Sequence, residues 1–116
     1  MLGVKIDKAE KFGFSISFDN CNLSSAIFSN RIMPKTIFRK CNLKNVDFSG
    51  ADLSGSLLDD CDLEDAFFDG TNLQNVNFVT SYGYSFNPQN NKIRGAKFGV
   101  DGLPGLLGQY GIEVKF

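Results

Sequence analysis

The chain has 116 residues, which is enough for one domain with a single core. Lys and Arg total 12 against 13 Asp and Glu, and this net charge of −1 argues against general binding to polyanions. Histidine is absent, which removes the commonest general base, the usual catalytic triads and every histidine-containing metal site.

The first segment, residues 1–15, precedes any regular repeat and is expected to form an irregular first coil. Val4 and Ile6 alternate with polar residues, and the apolar residues within 12–18 do the same, so two short half-buried strands are predicted. Because terminal repeats are usually atypical caps, this coil should cover the end of the core. A partner-binding arm is the alternative interpretation of the same segment.

The second segment, residues 16–80, carries an apolar centre at every fifth position without a skip. A period of five fits neither an α-helix nor a flat strand, so it predicts a solenoid of short repeats. A small residue two positions before each centre shares its inward face, and turn formers such as Ser49-Gly50 follow most centres. The predicted core centres are Phe18, Leu23, Phe28, Met33, Phe38, Leu43, Phe48, Leu53, Leu58, Leu63, Phe68, Leu73 and Phe78, continued by Ile93 and Phe98.

A second period of twenty residues sets the number of walls in each coil. Cys21, Cys41 and Cys61 are spaced by twenty, and Phe centres alternate with aliphatic centres at the same spacing. Four walls per coil would bring aromatic rings in from two opposite walls and aliphatic side chains from the other two. Side chains of different size would then interdigitate to native packing density.

The pentapeptide from Ala51 to Gly55 (ADLSG) is similar to the A(D/N)LXX consensus of the pentapeptide-repeat proteins. The triplets 41–43, 61–63 and 71–73 are variants of the same unit. This resemblance implies an all-β fold: a right-handed quadrilateral parallel β-helix of about four to five coils of 20 residues. Arg31 occupies an inward position, where an unpaired buried charge would be costly, so a bulged corner is expected there.

The repeat becomes irregular after Phe78. Residues 81–98 are expected to form a distorted coil in which an aromatic, Asn-rich loop at 82–91 replaces two walls. Residues 99–116 predict a C-terminal cap made of a short helix at about 103–110 and a brief strand. Such a cap would cover the open end of the stack, whose bare backbone would otherwise invite aggregation. All four segments belong to one domain.

The cysteine column, Cys21, Cys41 and Cys61, is interpreted as three buried, reduced, structural thiols. A closed metal site needs four ligands around one point, which a parallel ladder of three does not supply. Stacked Cβ vectors also run parallel, which disfavours a disulfide. A redox or metal role is the alternative, and neither a cofactor nor a metal is expected.

Charge is segregated along the chain: residues 45–91 hold eight acids and no Lys or Arg, whereas residues 1–44 hold eight Lys or Arg against three acids. The best-known members of the family, quinolone-resistance and microcin-immunity proteins, resemble B-form DNA and act on DNA gyrase. The resemblance therefore raises a DNA-mimic hypothesis, against which stands a simple solvated acidic belt. The acids singled out as a candidate surface are Asp59, Asp60, Glu64 and Asp65.

Two outward apolar residues, Ile37 and Leu57, are spaced by twenty and should stack on one wall. They are the second candidate interaction surface, for the folded-back tail or for a second subunit.

The sequence thus favours a non-catalytic interaction solenoid with an unidentified protein partner or a homodimer, and DNA gyrase is the alternative partner. Membrane insertion is not expected, since no apolar run approaches a membrane span. Direct nucleic-acid binding is not expected either, since the net charge is −1. Without a recognisable signal peptide, a cytoplasmic protein is expected. The weak first coil leaves open that the chain is the C-terminal part of a longer repeat array.

Overall fold

The computed structural model describes residues 16–108 and 111–112. The strands predicted within 1–15, and most of the brief strand predicted in the tail, lie outside the described residues. Three short strands, β1 (Ser17–Asp19), β2 (Ile37–Arg39) and β3 (Leu57–Asp59), form a parallel sheet in the order β1-β2-β3. Residues twenty apart are paired throughout this sheet, so each strand belongs to a new coil.

The other three walls are joined by isolated parallel bridges at the same twenty-residue spacing. The bridged outward positions are Asn22, Asn42, Asp62 and Tyr82 on the second wall; Ile27, Asp47 and Phe67 on the third; and Ile32, Asp52, Asn72 and Lys92 on the fourth. The first wall continues from Leu57 to Asn77 and Lys97. The predicted right-handed quadrilateral β-helix is confirmed.

Most corners are tight turns whose second residue has a positive φ. The corner at Ser24 and Ser25 is typical: Ser25 has φ 64°, and the N–H of Ala26 donates to the carbonyl oxygen of Leu23 at 3.0 Å. A positive φ at this position suits Gly and Asn. Most of the corner residues with positive φ are Gly or Asn, and the others are Ser, Lys or Asp. The full set is Asn20, Ser25, Asn30, Lys35, Lys40, Asn45, Gly50, Gly55, Asp60, Asp65, Gly70, Asn75 and Gly95.

The core is a column of rings and aliphatic side chains along the axis. Phe48 is fully buried, with its ring stacked on Phe28 at 5.5 Å and on Phe68 at 5.3 Å between centroids. Across the axis it meets Phe38 edge to face at 6.0 Å. Leu58 interrupts the opposite aromatic column, which otherwise runs through Phe18, Phe38, Phe78 and Phe98. The inward side chains from the two walls therefore interlock through the length of the solenoid.

The expected bulge at Arg31 is wrong. Ile32 bridges Asp52, and the N–H of Met33 donates to the carbonyl oxygen of Asp52 at 2.9 Å, so the wall keeps its register. Arg31 lies in the first described coil and is only half-buried, and its Nε has no hydrogen-bond partner among the described residues.

The prediction that residues 82–91 replace two walls is also wrong, because one of these walls is retained. Tyr82 bridges Asp62, and the N–H of Leu63 donates to the carbonyl oxygen of Tyr82 at 2.9 Å. The chain leaves the coil only at Gly83, which has φ 81°, and it returns at Lys92 after a 3₁₀ turn, Pro88–Asn90. Tyr84 and Phe86 from this loop fill the core where regular centres are missing.

The C-terminal cap contains a 3₁₀ turn before its helix, which was not predicted. A 3₁₀ turn at Val100–Gly102 leads into α1 (Pro104–Leu107), and the end predicted at residue 110 falls outside the described residues. Leu106 is buried, and the N–H of Phe86 donates to the carbonyl oxygen of Gly105 at 3.1 Å. The cap is therefore attached to the loop of the last coil.

Candidate interaction surface

The predicted acidic residues gather around one wall, which we call the tyrosine face: Asn22, Asn42, Asp62 and Tyr82. Asp59 and Asp60 form the corner on one side of Asp62, and Glu64 and Asp65 form the corner on the other. The third coil therefore presents carboxylates across the whole width of this face. Tyr82 follows in the next coil with 53% of its surface exposed.

Basic residues from the preceding coil partly neutralise this acidic band. Arg39 Nε lies 3.8 Å from Asp59 Oδ2, and Lys44 Nζ lies 3.6 Å from Asp62 Oδ2. Both pairs are substantially exposed, so each contributes little to stability. Their effect is electrostatic: the face carries a basic band beside an acidic band, rather than a continuous negative field.

Many outward Asp and Asn residues have a local structural role. Asp62 Oδ1 accepts a hydrogen bond from the backbone N–H of Glu64 at 3.1 Å, which supports the corner that follows. This arrangement is the Asx turn favoured by Asp and Asn. It recurs at Asn22, Asn42, Asp47, Asp52, Asn72, Asn77 and Asn87. Asp47, Asp52 and Asp62 thus stabilise the coil as well as adding to the belt.

The second predicted surface, Ile37 and Leu57, lies on the first wall. The two residues are paired in the parallel sheet, and each is half-buried. More apolar surface is exposed elsewhere: Phe67 on the third wall is 55% exposed, and Val100 in the cap is 62% exposed. The exposure of Val100 was not predicted, because this residue lies outside the regular repeat.

Cys21, Cys41 and Cys61 are free thiols that form part of a hydrogen-bonded column. Cys41 and Cys61 are buried, whereas Cys21 at the first coil is half-buried. Burial raises the pKa of the Cys41 thiol and raises the pKa of Cys61 to about 12. The buried thiols therefore stay protonated and weakly nucleophilic at neutral pH. Among the described residues, no group of His, Cys, Asp and Glu side chains could hold a metal ion.

A cleft lies between the last coil and the C-terminal cap. It consists of two adjoining hollows of about 310 and 250 Å³. We call it the cap cleft, and the residues shared by both hollows are Ser81, Tyr82, Tyr84, Asp101 and Gly102. Tyr82 therefore belongs both to the tyrosine face and to the rim of the cap cleft.

Tyr84 has an unusual environment at the base of this cleft. The residue is 4% exposed, and its buried hydroxyl has no hydrogen-bond partner among the described residues. Burial raises the pKa of the phenol, which keeps it neutral. Gly102 lies directly against the hydroxyl, since a Cβ there would fall 1.7 Å from the oxygen. A larger residue at position 102 would therefore require the Tyr84 ring or the turn to move.

Sequence reasoning missed Tyr82, Tyr84 and Asp101 as residues that line a cleft. The available signal was the break in the repeat, where Tyr82 replaces the usual outward Asn or Asp and Gly83 replaces an apolar centre. Within residues 16–108 and 111–112, no helix is long and apolar enough to cross a membrane.

A protein-family model described as a pentapeptide repeat region matches residues 14–98 of the chain. No curated protein matches the chain.

Among solved structures, a pentapeptide repeat protein (Rfr23) from the cyanobacterium Cyanothece 51142 is 19% identical, with a TM-score of 0.44, over 87% of this chain and 84% of that one. HetL from Nostoc sp. strain PCC 7120, a pentapeptide repeat protein involved in heterocyst differentiation regulation, is 16% identical, with a TM-score of 0.49, over 72% of this chain. The match spans only 38% of HetL. A trypsin-treated form of QnrB1, a plasmid-mediated fluoroquinolone resistance protein, is 18% identical, with a TM-score of 0.35, over 88% of this chain and 70% of that one.

Proposed function

This chain belongs to the pentapeptide-repeat family, and from that premise we propose that it is a non-catalytic, rigid interaction module that binds a protein partner. The proposal includes a cytoplasmic location. The observation that supports the proposal is the difference between the inward and the outward side chains of each wall. Inward side chains form a closed core, so the variable chemistry of the chain lies on its outer faces.

The tyrosine face is the surface best suited to a partner. Lys40 and Lys44 precede Asp60 and Asp62, and the exposed ring of Tyr82 comes next. Alternating charge fixes register and selects against wrong partners, while an exposed aromatic ring supplies contact area at low entropic cost. A partner with the opposite order of charges would fit this face in one orientation.

The test compares partner capture by two charge variants. The first carries Asp60→Asn, Glu64→Gln and Asp65→Asn, which remove charge while keeping side-chain size. Asp60 and Asp65 have φ of 55° and 60°, a conformation that Asn adopts readily, so the variant should fold normally. The matched control is Asp69→Asn, which removes an exposed carboxylate from the next corner.

We expect a partner that is captured equally by the unmodified protein and Asp69→Asn and is lost with the triple variant. Equal capture by all three proteins would reject the tyrosine face as the contact. An Ile37→Ser, Leu57→Ser variant tests the second predicted surface in the same experiment. Mass measurement in solution tests the homodimer. If two subunits pack through Ile37 and Leu57, the Ile37→Ser, Leu57→Ser variant should be a monomer.

The alternative function is protection or inhibition of a type II topoisomerase by DNA mimicry, with DNA gyrase as the partner. Its support is the acidic belt of the third coil. The belt is confined to the third coil, and its negative charge is partly neutralised because Asp59 and Asp62 are paired with basic residues. Asp62 also supports the corner that follows it. DNA presents about one charge per 1.7 Å along its whole length. Inhibition of gyrase supercoiling at micromolar protein, lost in the triple variant, would replace the present proposal with this one.

A further inference from the structure

We propose that the cap cleft is a recognition pocket for the guanidinium group of an arginine side chain on the partner protein. This inference rests on the proposed function, because it supplies one specific contact for the partner. It depends on three features of the described residues: the charge of the cleft, the exposed ring at its rim, and an unpaired hydroxyl at its base.

The first feature is charge. Asp101 is the one ionised side chain among the described residues that line the two hollows. A second carboxylate lies beside the cleft: a Cβ on Gly83 would lie 3.3 Å from Asp62 Oδ1, and Oδ2 of the same carboxylate lies 3.6 Å from Lys44 Nζ. A cationic group entering the cleft would therefore be attracted, whereas an anion would be repelled.

The second feature is the rim. Tyr82 keeps 53% of its surface exposed although it takes part in the β-ladder, and it lines both hollows. A tyrosine ring attracts a cation over its face. Among biological cations, guanidinium is planar and weakly hydrated, so it can stack on such a ring while its N–H groups donate to a carboxylate.

The third feature is the unpaired hydroxyl of Tyr84. A buried hydroxyl without a partner destabilises the folded protein, and all the remaining aromatic residues of the described core are Phe. Phe at position 84 would avoid that cost, so the hydroxyl is a liability in the empty protein. An N–H donor seated beside Asp101 would give the oxygen its missing hydrogen bond.

A glycine lies directly over the hydroxyl. Gly102 lies against it without a side chain, in the short 3₁₀ turn Val100–Gly102 that also carries Asp101. A small outward shift of this turn would expose the hydroxyl and keep Asp101 at the edge of the opening. Gly99, just before the turn, lies close to the carbonyl oxygen of Val79. Neither end of the turn is therefore packed by a side chain of its own glycine.

The test is a titration of the full chain with N-acetyl-arginine N-methylamide, followed by the backbone amide signals in NMR. N-acetyl-citrulline N-methylamide is the matched neutral probe, because it has nearly the same shape without the charge. We expect saturable shifts at residues 81–84 and 99–102 with the arginine probe, in the millimolar range. The citrulline probe and the Asp101→Asn variant should each bind about tenfold more weakly, a change of about 1.4 kcal/mol. The Asp69→Asn control should bind like the unmodified protein.

Tyr84→Phe separates a binding role from a structural one. If the hydroxyl is unpaired in the free protein, this variant should keep or raise the Tm and should weaken binding of the arginine probe. A fall in Tm would show that the hydroxyl already has a partner and would overturn the inference. Equal binding of the two probes, unchanged binding in Asp101→Asn, or no saturable shift would also overturn it. Because the probe needs no partner protein, these results are independent of the capture experiment.

Discussion

Cys61 donates a hydrogen bond from Sγ to the carbonyl oxygen of Phe38, 3.3 Å away in the preceding coil. Cys41 reaches the carbonyl oxygen of Phe18 in the same way at 3.4 Å, and the hydroxyl of Ser81 reaches that of Leu58. Within the described residues, no backbone N–H closes the corners after these three centres, in contrast to most other corners. The column of thiols and one hydroxyl therefore gives a side-chain donor to carbonyl groups that lack the usual backbone hydrogen bond across the corner.

The first prediction concerns Cys61. Cys61→Ala should lower the free energy of unfolding by about 1–3 kcal/mol, because it removes a buried hydrogen bond to the carbonyl of Phe38 and the packing contacts of the sulfur atom. Cys61→Ser should cost less than Cys61→Ala, because Ser81 already serves this purpose one coil further on. Urea denaturation of the two variants measures the difference. A larger loss with Ser than with Ala would mean that the thiol acts only as an apolar filler.

The second prediction is a loss of stability at alkaline pH. The pKa of Cys61 is raised to about 12 in the folded protein by burial, whereas an exposed thiol in the unfolded chain ionises near its ordinary value of 9.0. Below pH 9 both states hold the proton, so this group causes no pH dependence. Between about pH 9 and 12 only the unfolded state loses it, and stability should fall by about 1.4 kcal/mol per pH unit.

The Cys61→Ala variant is the control for this pH dependence, because it removes this thiol and keeps the rest of the chain. Subtracting its unfolding free energy from that of the unmodified protein at each pH isolates the contribution of Cys61. A difference that stays constant from pH 8 to pH 11 would contradict the raised pKa.

The register of the coils was predictable from the sequence because it is a periodic property. In a β-helix each residue pairs with the one a full coil away, so the twenty-residue spacing of Phe18 and Phe38 directly predicts their stacking. The retained wall at Tyr82 was missed because the inward centre there is Gly83. The backbone ladder needs no side chain at that position, so the loss of an apolar centre does not remove the wall.

The acidic residues and the cap cleft were less predictable, for different reasons. Asp62 reads as surface charge in the sequence, but its carboxylate also accepts the N–H that supports the next corner. The cap cleft depends on how Gly102 packs against Tyr84, a contact between non-repeating segments with no period to reveal it. Local chemistry explains the first of these features, and only the folded tail could reveal the second.

The third prediction concerns the aromatic column. Phe48→Ala should lower the free energy of unfolding by about 3–5 kcal/mol, because Phe48 is fully buried and in contact with three other rings. Phe48→Leu should cost about 1–2 kcal/mol, since Leu58 shows that a leucine fits an aromatic position in this core. Chemical denaturation measures both variants. A loss below about 1 kcal/mol for Phe48→Ala would show that the ring is not enclosed.

The last prediction concerns the attachment of the cap. A Cβ at Gly105 would lie 2.1 Å from the carbonyl oxygen of Tyr84 and 3.4 Å from the Cα of Ser85, both of which are backbone atoms. Alanine favours a helix over glycine by about 1 kcal/mol, but a clash with rigid backbone should outweigh that gain. Gly105→Ala should therefore lower the Tm and speed hydrogen exchange at Phe86, whose N–H donates to the Gly105 carbonyl. Gly108→Ala is the matched control, because Gly108 has φ −59° and a Cβ there meets nothing within 4 Å. It should leave the Phe86 exchange rate unchanged and keep or raise the Tm, and equal effects from the two substitutions would mean that α1 does not dock through Gly105.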